Sequence, residues 1–306
     1  MKILITGGAG TLGVNITDHL LQQGVEVAIV DNFSTSAPHR LDGLGKAKLF
    51  NGSVADFDFL AGALKDFQPT IVIHSAASYA DPDDWMSDID TNIIGAVNLS
   101  KICQQQGIEN ILNFQTALCY GNPISSPLKI DHPVQPQTSY AISKVAAEQY
   151  LMSSELNVTS LRIANVASPH LSIGPIPTFY KRLKAGQGCF CTDAKRDFLS
   201  FRDFMAFVDC VLQAPFKSTI YNIASGKGHT IHDVYEAVAL HLGLDPKGVE
   251  VRPCGDDDVQ EVVLDPSEAE KDFGWKARDD FQTVIRQQLE WYDQNGVGEI
   301  YSHLKK

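Results

Sequence analysis

The sequence has little positive charge and no long hydrophobic run, and each shortage excludes a class of protein. Its 25 Lys and Arg residues stand against 37 Asp and Glu residues, which gives a formal net charge of −12. Because nucleic-acid-binding proteins carry a basic surface, a nucleic acid is not an expected partner. No apolar stretch approaches the roughly 18 residues that suggest a membrane span, so a membrane is not an expected partner either.

Cysteine is also scarce, and its spacing fits neither a disulfide framework nor a zinc site. Six cysteines are spread over 306 residues, and Cys189 and Cys191 lack a second pair of ligands at zinc-like spacing. The segment from Met1 to Ile5 runs directly into a glycine turn, without the features of a signal peptide. We therefore expect a cytoplasmic protein of a reducing compartment, with no metal.

Short apolar strands alternate with amphipathic helices through the first half of the chain. Alternation of this kind predicts a Rossmann-like α/β fold, with a doubly wound parallel sheet and right-handed crossovers. The predicted strands are 2–6, 26–31, 47–51, 70–75, 110–115 and 158–163, and the predicted helices are 12–23, 57–67, 92–106 and 139–154.

The pattern loosens after Asn165. We predict helices at 178–185, 204–214, 231–242, 266–273 and 280–294, and strands at 198–201 and 220–223. No linker separates the two halves, which favours a discontinuous second domain. The expected division is a dinucleotide-binding domain of residues 1–165 plus about 197–224, and a smaller α/β substrate domain of about 166–196 plus 225–306.

A glycine turn joins the first strand to the first helix. Gly7 permits the tight turn, Gly10 lets backbone amides approach a pyrophosphate, and Gly13 lets the helix pack closely on the strand. The helix begins at Thr11 and Leu12, and its N-terminus supplies partial positive charge to an anion. The pattern therefore predicts a dinucleotide-phosphate site.

An acidic residue identifies the dinucleotide. Asp31 ends the second strand, 24 residues after Gly7, where a carboxylate accepts hydrogen bonds from the adenosine ribose hydroxyls. It would repel a 2′-phosphate, so the predicted cofactor is NAD rather than NADP. Further predicted cofactor-binding residues follow the second, third and fourth strands: Asn32, Ser34, Ser53, Val54, Ser75, Ala76 and Ala77.

Tyr140, Lys144 and Thr116 form the predicted catalytic group. Tyr140 and Lys144 are four residues apart and therefore share one face of a helix. A nearby ammonium and an oxidised nicotinamide would both lower the pKa of the phenol, so that it can take a hydroxyl proton as hydride leaves. Thr116 ends the fifth strand, near the crevice where such sheets bind ligands, and completes a proton relay.

These motifs together resemble the extended short-chain dehydrogenase/reductase family, and within it the NAD-dependent nucleotide-sugar epimerases and dehydratases. The resemblance covers almost the whole chain. Residues 173–182 are similar in particular to bacterial surface-polysaccharide UDP-hexose C4 epimerases. Beyond the glycine turn and the Tyr140–Lys144 pair, similar segments are 90–92, 116–121, 161–165, 196–198, 221–226, 264–267 and 273–275.

The resemblance implies further site residues. It places Asn92 at the nicotinamide side of NAD and has Lys144 hold the nicotinamide ribose. The predicted substrate-binding residues are Ser78, Tyr79, Thr116, Asn165, Arg196 and Arg252. Among these, Asn165 and Arg196 contact the sugar diphosphate, and Arg252 is the candidate second diphosphate arginine in a shifted, acid-rich segment.

Three family reactions begin with oxidation at C4 of a nucleotide sugar. Dehydratases of the family carry Asp-Glu directly after the catalytic threonine. Here Ala117 and Leu118 stand there and cannot transfer protons, which leaves Cys119 as the alternative acid or base. A reductase exchanges its cofactor in each turnover, whereas Asp31 favours retained NAD.

The prediction is therefore an isomerase, an NAD-dependent C4 epimerase of a nucleotide-diphosphate hexose, most simply UDP-linked. A 4-ketoreductase or a dehydratase is the alternative. A non-enzymatic NAD-sensing module is disfavoured because the three predicted catalytic residues are present. The resemblance also implies a homodimer through helices 92–106 and 139–154, with these outer-face residues: Ile94, Val97, Ala141, Val145 and Ala146.

Overall fold

The structure is a computed structural model that describes residues 1–255 and 258–300. Asp256 and Asp257, from the acid-rich segment, lie outside the described residues. The strands are β1 (Lys2–Thr6), β2 (Glu26–Asp31), β3 (Lys48–Asn51), β4 (Ile71–His74), β5 (Asn110–Thr116), β6 (Asn157–Ile163), β7 (Asn165–Ala167), β8 (Phe190–Thr192), β9 (Lys195–Ser200), β10 (Thr219–Ile223), β11 (Gly228–Thr230), β12 (Glu250–Arg252) and β13 (Glu261–Val262).

The helices lie mostly between the strands, as the alternating pattern predicts. They are α1 (Thr11–Gln22), α2 (Phe57–Phe67), α3 (Trp85–Asp88), α4 (Gly95–Gln106), α5 (Ser139–Met152), α6 (Pro175–Lys184), α7 (Phe201–Gln213), α8 (Ile231–His241), α9 (Ser267–Phe273) and α10 (Phe281–Asn295). Short 3₁₀ turns occupy Pro38–Leu41 and Ala117–Tyr120. Among the described residues, no helix combines the length and apolar character that crossing a bilayer requires.

The chain divides into two compact units. Unit 1 comprises Met1–Cys119, Thr138–Arg162 and Val211–Tyr221, and unit 2 comprises Tyr120–Gln137, Ile163–Cys210 and Asn222–Lys306. This division by compactness assigns 120–137 and 197–210 to unit 2, whereas the sequence prediction assigns both stretches to the dinucleotide-binding domain. Which residues belong to each functional domain therefore stays a prediction.

A seven-stranded sheet organises unit 1, in the order β10-β6-β5-β4-β1-β2-β3. β1 pairs in parallel with β2 on one side and with β4 on the other, and β2–β3 and β4–β5 are also parallel. The chain thus winds outward in both directions from β1. The predicted doubly wound α/β sheet is confirmed, and its switch point lies where β1 and β4 end.

Burial on both faces explains why the central strands are apolar at consecutive positions. Residues of β1, β2 and β4 are almost all buried, as expected for a parallel sheet covered by helices. One core cluster packs α2, α4 and α5 against this sheet through Leu60, Leu99 and Leu151, among other residues. This packing fixes the carboxyl ends of β1 to β5, where the candidate site residues lie.

The predicted helix 92–106 begins earlier than its sequence pattern indicates. α3 leads into a π-helical turn over Ile89–Ile94, which continues directly into α4. The stretch before Asn92 is rich in acidic residues and does not show a helical pattern. The helix begins there because Asp84 caps α3, accepting a hydrogen bond from the Ser87 amide at 3.1 Å. A π-helical turn inserts an extra residue into a helix and is frequent at functional sites.

Unit 2 is built from small sheets and helices. β9 pairs with β7, β11 and β13, and β8 pairs with β12. A separate core lies among α6, α8 and α10 and includes Phe179, Val238 and Leu289. The prediction that the tail is mostly helical misses β11, β12 and β13, which are two or three residues long and too short to show periodicity.

Candidate active site

The glycine turn after β1 is tight because backbone atoms occupy the space of absent side chains. Gly7 has φ +68°, and a Cβ there would lie 2.7 Å from the Ala76 backbone. A Cβ on Gly13 would lie 2.3 Å from the Gly7 carbonyl oxygen and 2.6 Å from Gly8 Cα. The first turn of α1 therefore packs directly on the loop, which presents its N-terminus at the end of the sheet.

Asp31 is fixed to the same turn. Its carboxylate accepts hydrogen bonds from the amides of Ala9 at 2.9 Å and Phe33 at 2.8 Å, and from the Ser36 hydroxyl at 3.0 Å. The bond to Ala9 ties the end of β2 to the glycine turn. A carboxylate and a helix N-terminus are thus held side by side, as the two ends of an adenosine diphosphate require.

Two buried side chains shape the neighbouring strand ends. Asn98 on α4 donates to the carbonyls of Val54 at 3.2 Å and Ala55 at 2.9 Å, which holds the loop of the predicted adenine contacts.

The Thr6 hydroxyl lies 2.8 Å from His74 Nδ1 and accepts from the Ala76 amide at 3.3 Å. Ser53, Val54, Ser75, Ala76 and Ala77 therefore follow β3 and β4 at the edge where β1 ends.

His74 is a neutral residue of the sheet. Burial, and secondarily the charge of Lys144, lower the pKa of His74 to about 3. The imidazole therefore carries no charge at neutral pH, and its bond to Thr6 joins β4 to β1.

Thr116 and Tyr140 meet beyond the carboxyl end of β5. The Thr116 hydroxyl lies within hydrogen-bonding reach of the Tyr140 phenol and lowers its pKa, while burial raises that pKa well above its ordinary range. Tyr79 and Asp88 add to the increase. α5 begins at this point because Thr138 caps it, accepting from the Ala141 amide at 3.2 Å.

Lys144 lies one turn after Tyr140 and is buried. Burial lowers the pKa of Lys144 to about 8, and the nearby Glu148 carboxylate opposes this decrease. The ammonium is therefore held in a dry environment, where its charge acts strongly on neighbouring groups. The expected decrease in the pKa of Tyr140 is not seen in the protein alone, because burial of the phenol dominates.

Gln115 connects the two elements that carry the predicted catalytic residues, and sequence reasoning missed it. Its Nε2 donates to the Lys144 carbonyl at 2.8 Å, and its Oε1 accepts from the Thr116 amide at 2.8 Å. One buried side chain thus joins the end of β5 to the middle of α5. The available signal was a polar residue at the end of an otherwise apolar strand.

Asn92 is likewise built into the scaffold. Its amide exchanges two hydrogen bonds with the Ser78 backbone, at 2.9 and 3.2 Å, and donates to the Ser143 hydroxyl at 2.9 Å. Ser143 in turn donates to the Tyr140 carbonyl at 2.8 Å. The π-helical turn therefore braces both the loop after β4 and the start of α5, and its predicted contact with nicotinamide stays a prediction.

The loop after β2 approaches the loop after β4. Burial raises the pKa of Tyr79, while a hydrogen bond with Thr35 and the charge of Arg40 act in the opposite direction. In the loop after β2, the Ser34 amide donates to the Asn32 side chain at 3.1 Å. The structure thus brings the predicted residues of unit 1 to one edge of its sheet.

The predicted substrate residues of unit 2 fall on two separate small sheets. Asn165, on β7, donates to the Asp197 carbonyl of β9 at 3.1 Å. Arg196, on β9, donates to the Lys195 carbonyl at 2.8 Å and forms an ion pair with Asp258. Asn165 and Arg196 therefore share one sheet.

Arg252 is placed differently. It lies on the exposed strand β12, which pairs with β8, and it pairs with Glu250 at 2.7 Å and lies over the Phe190 ring at 4.0 Å. Its partners Glu250 and Phe190 are exposed residues, and its predicted contact with a diphosphate stays a prediction.

Several residues within the segments that carried the family resemblance make structural contacts. Asp197 accepts from the Ser225 and Gly226 amides, each at 2.9 Å, although burial raises its pKa to about 6. The Tyr120 hydroxyl donates to Asn222 at 2.7 Å. These contacts build the loops of unit 2.

A parallel sheet of this order, with a glycine turn after its first strand, defines a dinucleotide-binding fold. A model of the NAD dependent epimerase/dehydratase family matches residues 3–224, and the chain belongs to this family. It is 50% identical to the Bordetella bronchiseptica enzyme WbmG, whose crystal structure with NAD and UDP matches with a TM-score of 0.93, covering 99% of this chain and 98% of that one.

Two further relatives carry a named activity. The crystal structure of Thermus thermophilus UDP-glucose 4-epimerase with NAD is 30% identical, with a TM-score of 0.85, covering 96% of this chain and 99% of that one. The UDP-glucose 4-epimerase of Mycolicibacterium smegmatis is 27% identical over 95% of this chain and 98% of its own length. The sequence-based family prediction is confirmed.

The residues of unit 1 fit NAD. A Cβ on Gly10 would approach the Gly7 carbonyl oxygen to 3.1 Å, a tight contact, so little space is left for a side chain where a pyrophosphate would meet the start of α1. Asp31, held beside that turn, suits the adenosine ribose. Thr116, Tyr140 and Lys144 lie beyond β5, on the far side of the switch point, where the nicotinamide half would lie.

Proposed function

We propose that the protein is an NAD-dependent epimerase that inverts C4 of a nucleotide-diphosphate hexose, with UDP as the carrier. The observation that carries the proposal is the Thr116–Tyr140 contact beyond the carboxyl end of β5, in a chain of the NAD dependent epimerase/dehydratase family. This contact supplies a proton relay for a hydroxyl group at the edge where NAD binds.

The residues of unit 1 divide the work of the C4 oxidation. Tyr140 takes the proton of the C4 hydroxyl, and Thr116 passes it along a hydrogen bond. Lys144 supplies the positive charge that favours the phenolate. NAD, when bound, accepts the hydride from C4 and returns it. Return to the opposite face of the 4-keto sugar gives the epimer, with no second acid–base pair.

The alternative dehydratase reaction needs groups that this site lacks. It removes the C5 proton and expels the C6 hydroxyl, and in the resembling enzymes Asp-Glu performs these steps. Ala117 and Leu118 occupy those positions in the turn after β5. Cys119, the remaining candidate, is fully buried. These side chains favour the epimerase.

The carrier is inferred from the relatives. The WbmG structure contains UDP together with NAD, and the named epimerases act on UDP-glucose. We assign the diphosphate to Arg196 and Asn165 of unit 2. Because Arg196 is paired with Asp258, diphosphate binding would exchange one anionic partner of this arginine for another.

The test is NMR of a panel of UDP-hexoses, incubated with the protein in deuterated water without added cofactor. We expect the C4 epimer to appear without deuterium incorporation, because hydride leaves and returns on retained NAD. Deuterium at C5 of a 4-keto-6-deoxy product would instead establish a dehydratase. Conversion only with added NADH or NADPH would establish a reductase.

We also propose a homodimer that forms through α5 and the preceding helices. Unit 1 carries an apolar stripe, in which Ile142 and Tyr150 of α5 are exposed and Ala146 between them is half-buried. Met86 and Ile89, on the elements that pack against α5, are also exposed. Ile94, one of the predicted contacts, is also exposed. Ala141 and Val145 were wrongly placed on the outer face: they are only 1% and 9% exposed, because α5 turns them toward the core.

Replacing Ile142 by Glu is expected to convert the dimer into a monomer, because a charge would be buried at the centre of the stripe. Light scattering after gel filtration measures the mass. Leu240→Glu is the matched control, since Leu240 is 59% exposed against 52% for Ile142 and lies on α8, outside the stripe. A monomeric unmodified protein would refute the proposal.

The resemblance over residues 173–182 favours a role in supplying a sugar donor for surface-polysaccharide synthesis. Such donors are made where nucleotide sugars are available, so we infer a cytoplasmic location. Both inferences deepen the enzymatic proposal and depend on it.

A further inference from the structure

A buried ion pair lies beneath the catalytic helix. Arg162, on β6, donates to Glu148, on α5, at 2.8 Å, and both side chains are buried. The Ser160 hydroxyl donates to the other Glu148 oxygen at 2.7 Å, and Asn113 donates to Ser160 at 2.9 Å. Both carboxylate oxygens thus have a fixed partner.

Stability alone does not explain this pair. Removing two charges from water costs several kcal/mol per ion, and well-packed apolar residues are often as stable at such positions. The position of Glu148 offers a different explanation. It follows Lys144 by four residues on α5, so the two side chains share one face of the helix, and the charge of Glu148 acts on the Lys144 ammonium.

The surroundings of Lys144 make that charge important. Burial disfavours its ammonium, and Glu148 opposes this effect. The charge of Lys144 acts on His74 of β4, Tyr140 lies one turn before it on α5, and Arg162 of β6 is paired with Glu148. His74 is neutral and Tyr140 is a phenol, so among the described residues that face Lys144 the Glu148 carboxylate is the available negative charge.

We propose that Glu148 is a positioning residue that keeps Lys144 protonated, and that Arg162 and Ser160 hold Glu148 in place for this purpose. The inference rests on the proposed function, since the proposed base Tyr140 needs a charged Lys144 to become a phenolate. It assigns a task to a buried pair that is not among the predicted cofactor or substrate contacts.

Two single substitutions should act in opposite directions. Glu148→Gln removes the negative charge and leaves Arg162 positive, so the pKa of Lys144 should fall by about one pH unit. Arg162→Met leaves Glu148 without its counter-charge, so the pKa of Lys144 should rise. The double variant removes both charges, and the pKa should fall by less than in Glu148→Gln. This comparison replaces the one with Arg162→Met if that single variant fails to fold.

The measurement is an NMR titration of the protein with ¹³C at the ε-carbon of lysine. The Lys144 signal is identified by its absence in Lys144→Met. Glu290→Gln is the matched control, because it breaks an exposed pair with Arg286 on α10, also four residues apart, and should leave the signal unchanged. Equal titration of Lys144 in all variants, or shifts of one sign in both single variants, would overturn the proposal.

This readout separates the inference from the proposed function. The titration needs no turnover, so shifts of opposite sign support the role of Glu148 even if the UDP-hexose panel is not converted. Where the panel is converted, the alkaline limb of the kcat profile should move to lower pH in Glu148→Gln. A change of packing alone would lower kcat without moving that limb.

Discussion

Tyr140→Phe is expected to lose about 10²–10⁴-fold in kcat for the epimerisation while it still binds NAD. The substitution deletes one hydroxyl, which lies within hydrogen-bonding reach of Thr116 and is the proposed proton acceptor. The glycine turn and Asp31, the predicted contacts of the pyrophosphate and the adenosine ribose, are untouched. The substitution should therefore lower turnover without lowering NAD binding.

Two measurements check this separation. The kcat is obtained from the NMR assay with saturating UDP-hexose, and the NAD content from the nucleotide released on denaturation. Tyr150→Phe serves as the control, because Tyr150 lies on the same helix and is exposed, and it should turn over normally. Retained activity in Tyr140→Phe would show that another group is the base.

Gly13→Ala should unfold more easily than the unmodified protein and bind NAD poorly. The new methyl group would lie 2.3 Å from the Gly7 carbonyl oxygen, and backbone atoms cannot move aside as a flexible side chain would. Overpacking of this kind costs about 1–3 kcal/mol of unfolding free energy. Because relief requires α1 to move off the glycine turn, the helix N-terminus would also leave the predicted pyrophosphate position.

Gly62→Ala is the matched helical control. Gly62 lies within α2, where nothing comes within 4 Å of an added Cβ, so alanine should stabilise the protein by up to about 1 kcal/mol. Urea unfolding measures both variants, and calorimetry measures their affinity for NAD. If the two substitutions change the unfolding free energy alike, the helix–loop contact at Gly13 is not as tight as described.

The sequence predicts the sheet of unit 1 because its strands are buried on both faces. Three strands and helices in that half have their predicted bounds to the residue: Lys2–Thr6, Glu26–Asp31 and Phe57–Phe67. Apolar runs between turn residues mark such elements clearly. β11, β12 and β13 carry no comparable signal, since strands of two or three residues are recognised only through their partners on β8 and β9.

The candidate site divides in a similar way. Gly13, Asp31 and Tyr140 could be proposed from the sequence because their predicted chemistry is tied to a fixed spacing along the chain. Gln115 and Asn98 were missed because their task is to bridge elements that are far apart in sequence, and only the folded chain shows their partners. The pKa of Lys144 depends on burial in the same way, and no spacing encodes it.

The two hydrogen bonds of the Gln115 side chain have a consequence for the proposed epimerase cycle. Its amide bonds to the Thr116 backbone and the Lys144 backbone at the same time, so one side chain ties the end of β5 to α5. Inversion at C4 nevertheless requires the two faces of the ring to be presented in turn. In the proposed reaction the protein groups are then the stationary part, and the hexose is the part that rotates.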